Sequence, residues 1–180
     1  MKYALFFYTA LSTAFGLAQQ SQKQIINTDG TSFLLGEIDR NDLETTAFTS
    51  WFVHNYEQYT VDEQLIKLFQ RKLRHHEIVL FLGTWCGDSK RQVPRMLKIL
   101  DAAKFPEDQL RLIALDRRKE TYKQGPNGEE KGWNIKRVPT LILLKKGKEV
   151  NRIIERPVDT LEEDLLAILS QMEYTPNYSF

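Results

Sequence analysis

The stretch from Glu77 to Pro94, EIVLFLGTWCGDSKRQVP, limits the fold more than any other part of the chain, because its periodicity changes at a single residue. Ile78 to Leu82 is an unbroken apolar run ending at Gly83, so it reads as a buried strand closed by a turn. Beyond Cys86 the apolar residues Val93, Met96, Leu97 and Leu100 recur at helical spacing. The strand therefore gives way to a helix at Cys86, the one cysteine in the chain. At a helix start the first amide N–H groups lack intrahelical acceptors and the dipole favours negative charge, so a thiolate there is favoured relative to a thiol.

A single cysteine excludes an internal disulfide. The fold must rest on its core, for which 42% hydrophobic and 27% charged residues are ordinary values. Residues 1–18 read as a secretory signal peptide: Lys2 precedes the apolar run Tyr3–Leu11, and Gly16-Leu17-Ala18 supplies small residues before a cut after Ala18. A membrane anchor needs about 20 apolar residues. This run is shorter, is interrupted by Thr9, Ser12 and Thr13, and has no cysteine at the cut to carry a lipid. An exported protein, periplasmic or extracellular, is expected. The formal charge of the full chain is +1, and Lys2 leaves with the leader. The balanced remainder gives no reason to expect nucleic acid or an anionic membrane as partner.

Residues 19–61 read as an N-terminal extension packed on the domain. Asn27-Thr28-Asp29-Gly30 is a turn signal, with Ser32–Leu35 as an edge strand or hairpin arm. Asn41 with Glu44 resembles a capping box for a helix over 42–57, whose Phe48, Trp51 and Phe52 form an aromatic face toward the domain. Thr60 with Glu63 opens a second helix carrying Val61, Leu65, Leu68, Phe69 and Leu73 on one side. His75 and His76 are adjacent and His54 lies in another element, so no metal site is expected. Leu110–Leu115 reads as a strand covered on both faces, ending at Asp116, a turn cap or local ion-pair partner.

Two short helical stretches are expected within 120–134, around the Gly125-Pro126-Asn127-Gly128 loop, a candidate substrate-contacting segment. Thr140–Lys145 and Glu149–Glu155 form a hairpin through Gly147. Thr160 and Glu163 open a last helix burying Leu161, Leu165, Leu166, Ile168 and Leu169. Residues 62–172 thus make an α/β sandwich with a mixed sheet, followed by an aromatic tail over 173–180.

Trp85, Cys86, Gly87 and Pro94 resemble the active-site segment of the thioredoxin-like superfamily, which carries Trp-Cys-Gly-x-Cys at the end of a central strand and a proline eight residues after the first cysteine. Arg137-Val138-Pro139-Thr140 before Leu141–Leu144 resembles its cis-proline loop and next strand, and Lys146-Gly147-Lys148-Glu149 its hairpin turn. The resemblance implies an α/β thioredoxin-like three-layer sandwich with a central mixed sheet, here bearing an N-terminal helical extension. It further implies catalytic positions at Cys86 and Ser89, and a substrate side formed by Trp85, Gly87, Asp88, Val138, Pro139 and Thr140. Two family positions differ. The second cysteine is replaced by Ser89, and the buried acid by Leu80.

Ser89 stands one helical turn from Cys86 and can donate a hydrogen bond to its thiolate, but a hydroxyl does not resolve a mixed disulfide. Asp88 opposes the thiolate by like charge, whereas Lys90 and Arg91 favour it if they point toward the sulfur. The sequence therefore leads to a monothiol exchanger whose mixed disulfide is resolved by an external thiol. Its expected partners are protein or peptide thiols and disulfides or a small-molecule thiol, with no cofactor and no membrane anchor. The alternative is a non-catalytic protein- or peptide-binding module that keeps the groove at Val138–Thr140.

Overall fold

The computed structural model describes residues 23–178, so the expected leader lies outside the described residues. In chain order the strands are β1 (Gln24–Ile26), β2 (Ser32–Leu34), β3 (Gly36–Ile38), β4 (Glu77–Leu82), β5 (Leu110–Ala114), β6 (Thr140–Lys145) and β7 (Lys148–Ile154). The α-helices are α1 (Arg40–Leu43), α2 (Thr49–Gln58), α3 (Glu63–Leu73), α4 (Gly87–Ala102) and α5 (Leu161–Leu169).

Five strands form the central mixed sheet in the order β3-β5-β4-β6-β7, and β1 with β2 makes a separate hairpin. The β4–β5 pair is parallel and the other pairs are antiparallel. The apolar run of β4 lies in the middle because both of its faces are buried, which an unalternating sequence requires. Ile78, Leu80 and Leu82 look into one core shared with Phe52 of α2, Phe69 of α3, Leu97 of α4 and Leu165 of α5. Val79 and Phe81 look the other way, into a smaller core with Ile113, Ile142 and Val138, against which Trp85, Cys86, Trp133 and Ile135 pack. The cysteine thus belongs to the face that the long β5–β6 crossing covers.

That crossing contains turns and no helix, unlike the two short helices expected within 120–134. Lys123, Gly128, Gly132 and Asn134 all adopt positive φ, and each such residue interrupts a right-handed helical path. Asp116 is buried at its start and accepts hydrogen bonds from the Arg118 backbone and guanidinium and from the Thr121 hydroxyl, the local role its strand-end position suggested. Burial alone would raise the Asp116 carboxyl; these donors hold it below its ordinary range.

The N-terminal part departs from expectation in three respects. Its strand β3 joins the central sheet beside β5, so the segment is built into the sheet as well as packed on it. The helix expected over 42–57 is divided into α1 and α2, and the first cap is formed by the Asp42 carboxylate accepting from the Asp39 N–H at 2.7 Å. Glu44 to Phe48 then turn the chain so that Phe48 and Phe52 are buried, with Trp51 edge-on to both. Likewise α3 starts later than Thr60: Asp62 caps it by accepting from Gln64 and Leu65 N–H at 2.9 and 3.0 Å. Its inner face is Ile66, Phe69 and Leu73, whereas Leu68 is 62% exposed.

At the other end Thr160 caps α5 through the Glu163 N–H, and four of the five expected apolar residues are fully buried, with Leu166 half-buried. The tail returns along the body. Tyr174 donates to Asp164 at 2.7 Å, and the Asn177 amide donates to the carbonyls of Arg156 and Pro157. Among the described residues no helix is long and apolar enough to cross a membrane.

Candidate active site

Strand β4 ends by hydrogen-bonding rules that leave Cys86 at a junction. After Leu82 the chain turns through Gly83 and Thr84, and the Cys86 N–H returns to the Gly83 carbonyl at 2.8 Å. Cys86 itself has extended backbone angles and is the N-cap of α4, with its carbonyl accepting from Lys90 N–H at 3.0 Å. The side chain at that position projects beside the free amides of the first turn. The N-terminal hairpin braces the turn from behind: Thr84 is buried and its hydroxyl accepts from the Leu34 N–H at 3.0 Å.

Gly83 is small for a reason visible in its surroundings. A Cβ built there would lie 2.7 Å from Cε2 of Trp85. The indole lies over the glycine and donates its Nε1–H to the Leu115 carbonyl at 2.8 Å, and its ring centre is 5.2 Å from that of Tyr122. Trp85 is thereby fixed between the end of β5 and the crossing loop, forming one wall beside the sulfur.

The opposite wall is the Val138–Pro139 segment, whose peptide bond is cis. The partly exposed Cys86 thiol donates to the Val138 carbonyl at 3.2 Å. The loop is held by its neighbours: the Thr140 hydroxyl donates to the Arg137 carbonyl at 2.8 Å, the Pro139 carbonyl accepts from Glu155 N–H at 2.6 Å, and Arg137 pairs with Glu155 at 2.9 Å. The Arg137 guanidinium also stacks 4.0 Å from the ring centre of Tyr178, so the tail reaches the same loop.

The residues singled out in the sequence divide into two groups. Trp85, Cys86, Gly87, Val138 and Pro139 come together at the mouth of the site, and space is open around Gly87. Ser89 and Thr140 do not reach that mouth with their side chains, since both are buried and engaged elsewhere. The Ser89 hydroxyl accepts from the Gly83 N–H at 3.1 Å; the expected bond from Ser89 to the sulfur is replaced by the thiol–Val138 contact. Asp88 is paired with Arg91 across one turn of α4.

Sequence reasoning missed Lys123 and Tyr122. Lys123 donates to the Lys136 carbonyl at 2.6 Å, and its ammonium lies 5.0 Å from the Tyr122 ring centre. Burial pushes the Lys123 ammonium below its ordinary value, Cys86 and Glu155 act to raise it, and Arg137 lowers it further. The long crossing was a visible signal that some residue there faces the site; nothing in the sequence selected Lys123. Among the described residues no group of three His, Cys, Asp or Glu side chains is arranged to hold a metal ion.

Cys86 at the strand-to-helix junction thus faces a cis-proline loop, with its sulfur 3.2 Å from the Val138 carbonyl. The chain is similar to thioredoxin H2-2 of Oryza sativa subsp. japonica, with 28% identity over 93 residues, covering 52% of this chain and 62% of the relative. It is also similar to an H-type thioredoxin of Picea mariana, with 26% identity over 88 residues, covering 49% of this chain and 62% of that one. The match thus spans about three-fifths of these relatives' length. In fold alone it resembles a crystal structure of a protein of unknown function from Pseudomonas aeruginosa, with a TM-score of 0.54 and 14% identity over 76% of this chain and 93% of the other. A family model described as thioredoxin matches residues 44–167, most of the sheet and all of the site from Trp85 to Thr140, and the chain belongs to the thioredoxin family.

Proposed function

We propose that the protein is a monothiol member of its family that exchanges disulfides through Cys86 and depends on an external thiol to be released. The observation that carries this reading is the partly exposed Cys86 sulfur at the N-cap of α4, 3.2 Å from the Val138 carbonyl. In the forward step the Cys86 thiolate attacks one sulfur of R–S–S–R′, forming a Cys86–S–S–R bond while R′–S⁻ leaves. An external thiolate R″–S⁻ then attacks the R sulfur, giving R–S–S–R″ and restoring the Cys86 thiolate. No net oxidation of the protein occurs. Ser89 takes no covalent part, being a buried hydroxyl already bonded to the Gly83 amide. The backbone of Val138 offers an extended peptide substrate its main-chain edge, and Trp85 and Gly87 flank the sulfur.

Reduced protein treated with oxidised glutathione should gain one glutathionyl group, seen by intact mass, and lose it on addition of reduced glutathione. It should not cycle insulin disulfides efficiently without an added small thiol. If Cys86 forms an adduct in the denatured chain but none in the folded protein, the site is a peptide-binding groove without exchange chemistry.

We also propose export, supported by Lys2, the Tyr3–Leu11 run and Gly16-Leu17-Ala18. The mature protein should then have the mass of a chain beginning at Gln19, with that glutamine cyclised or not. Recovery from its native source with Met1–Ala18 retained would overturn this.

A further inference from the structure

We infer that Lys123 is the electrostatic partner of the Cys86 thiolate, a role that rests on the exchange reaction proposed above. Three contacts fix this lysine in the crossing between β5 and β6. Its N–H donates to the Asp116 carbonyl at 2.9 Å, its ammonium donates to the Lys136 carbonyl at 2.6 Å, and the same ammonium lies 5.0 Å from the ring centre of Tyr122. Tyr122 in turn packs against Trp85, the residue before the cysteine. Lys136 lies two residues before Val138, whose carbonyl receives the Cys86 thiol. The ammonium and the sulfur are therefore both anchored on the stretch 136–138.

Of the other cations on the flanking elements, Arg137 is paired with Glu155 and Arg91 with Asp88, while Lys90 in the first turn of α4 is in no ion pair among the described residues. Lys123 has no carboxylate within ion-pair distance among the described residues; its hydrogen-bond acceptor is a neutral carbonyl. A half-buried ammonium without a counter-ion is poorly solvated, and a negative charge formed at Cys86 supplies what it lacks. Consistent with this, burial lowers the Lys123 ammonium and a negative charge at Cys86 acts to raise it.

The consequence for reactivity depends on pH. A nearby cation increases the fraction of sulfur present as thiolate, while making each thiolate somewhat less nucleophilic. At neutral pH the first effect dominates, because the fraction ionised is limiting. At high pH the thiol is ionised with or without the lysine, and Lys123 itself loses its charge, the sooner because burial has lowered it. The advantage therefore exists on the acid side and disappears as pH rises.

The test is the rate of alkylation by iodoacetamide, a neutral reagent that reads the thiolate whether or not the protein exchanges disulfides. Lys123→Gln removes the charge and keeps a donor for the Lys136 carbonyl; Lys123→Arg keeps the charge. Lys123→Gln is expected to react about tenfold more slowly than the natural protein at pH 7. The gap should close by about pH 10, and Lys123→Arg should stay within about threefold of the natural rate. Circular dichroism before each run establishes that the variants are folded, and if Lys123→Gln does not fold, added salt on the natural protein should slow the reaction by screening the pair. Equal rates at pH 7, a deficit that persists unchanged to high pH, or an arginine no better than glutamine would each overturn the inference. Failure of the natural protein to form a glutathione adduct would instead remove the exchange reading, while the alkylation rates still judge the charge pairing.

Discussion

With Ser89→Cys, the protein is expected to release its bound thiol unaided. Ser89 is fully buried one helical turn from Cys86, and its oxygen receives the Gly83 amide at 3.1 Å. A thiol there stands in the position from which, in two-cysteine relatives, the mixed disulfide is resolved. The second attack would form a Cys86–S–S bond to the new sulfur and expel R–S⁻, so that one disulfide substrate yields two free thiols and an oxidised protein. The natural protein should yield one thiol and keep the adduct. Because the attack becomes intramolecular, release should be at least about a hundredfold faster than with millimolar external thiol. Sulfur accepts hydrogen bonds weakly, so the Gly83 amide loses part of its partner at a cost of about 1 kcal/mol. Thiol counting and intact mass after a single turnover decide the matter. An adduct as persistent as that of the natural protein would mean that the two sulfurs cannot meet with disulfide geometry.

How far the sequence reaches depends on whether a feature is set by local pattern or by competition among neighbours. The β4 strand, the α4 start at Cys86, the β6–β7 hairpin and the Thr160 cap were all legible, because burial periodicity and capping chemistry act over a few residues. The partner of Ser89 was not. Spacing places its hydroxyl near Cys86, but the Gly83 amide is nearer to hand and would otherwise be a buried unpaired donor. The division of the 42–57 helix has a similar cause: Asp42 satisfies the Asp39 amide before Asn41 and Glu44 can act as a box, and the chain must turn from the sheet edge to lay Phe48 and Phe52 on α4. The crossing loop hid most. Lys123 takes positive φ although it is neither glycine nor asparagine, which no composition rule announces, and its ammonium then meets the Lys136 carbonyl.

The largest loss of stability is expected from Leu80→Asp, which restores the acid that the family carries at this position. Leu80 is fully buried and lies in register between Leu112 of β5 and Leu141 of β6. Its core is hydrocarbon from every neighbouring element, including Val93 and Leu97 of α4. Truncating a leucine in such a place costs about 2–5 kcal/mol. A carboxyl without donors adds a further term at neutral pH, since it must be buried charged or taken up protonated; a three-unit rise in its folded value corresponds to about 4 kcal/mol. The sum is comparable with the whole stability of a domain this size, about 5–15 kcal/mol. Its sign with pH identifies it. The folded state would hold a proton that the unfolded state has released, so stability should rise as pH falls from 8 toward about 5. Leu80→Asn loses the same packing but has no proton to take up, and its deficit should be nearly the same at both pH values. Urea titrations of the two variants at pH 5 and pH 8 make the comparison. A Leu80→Asp protein as stable at pH 8 as at pH 5 would show that polar partners or water reach this core. If the pH dependence is found, a second thiol at Ser89→Cys has to complete its cycle without the buried acid, because the hydrocarbon packed around Leu80 opposes a charge there.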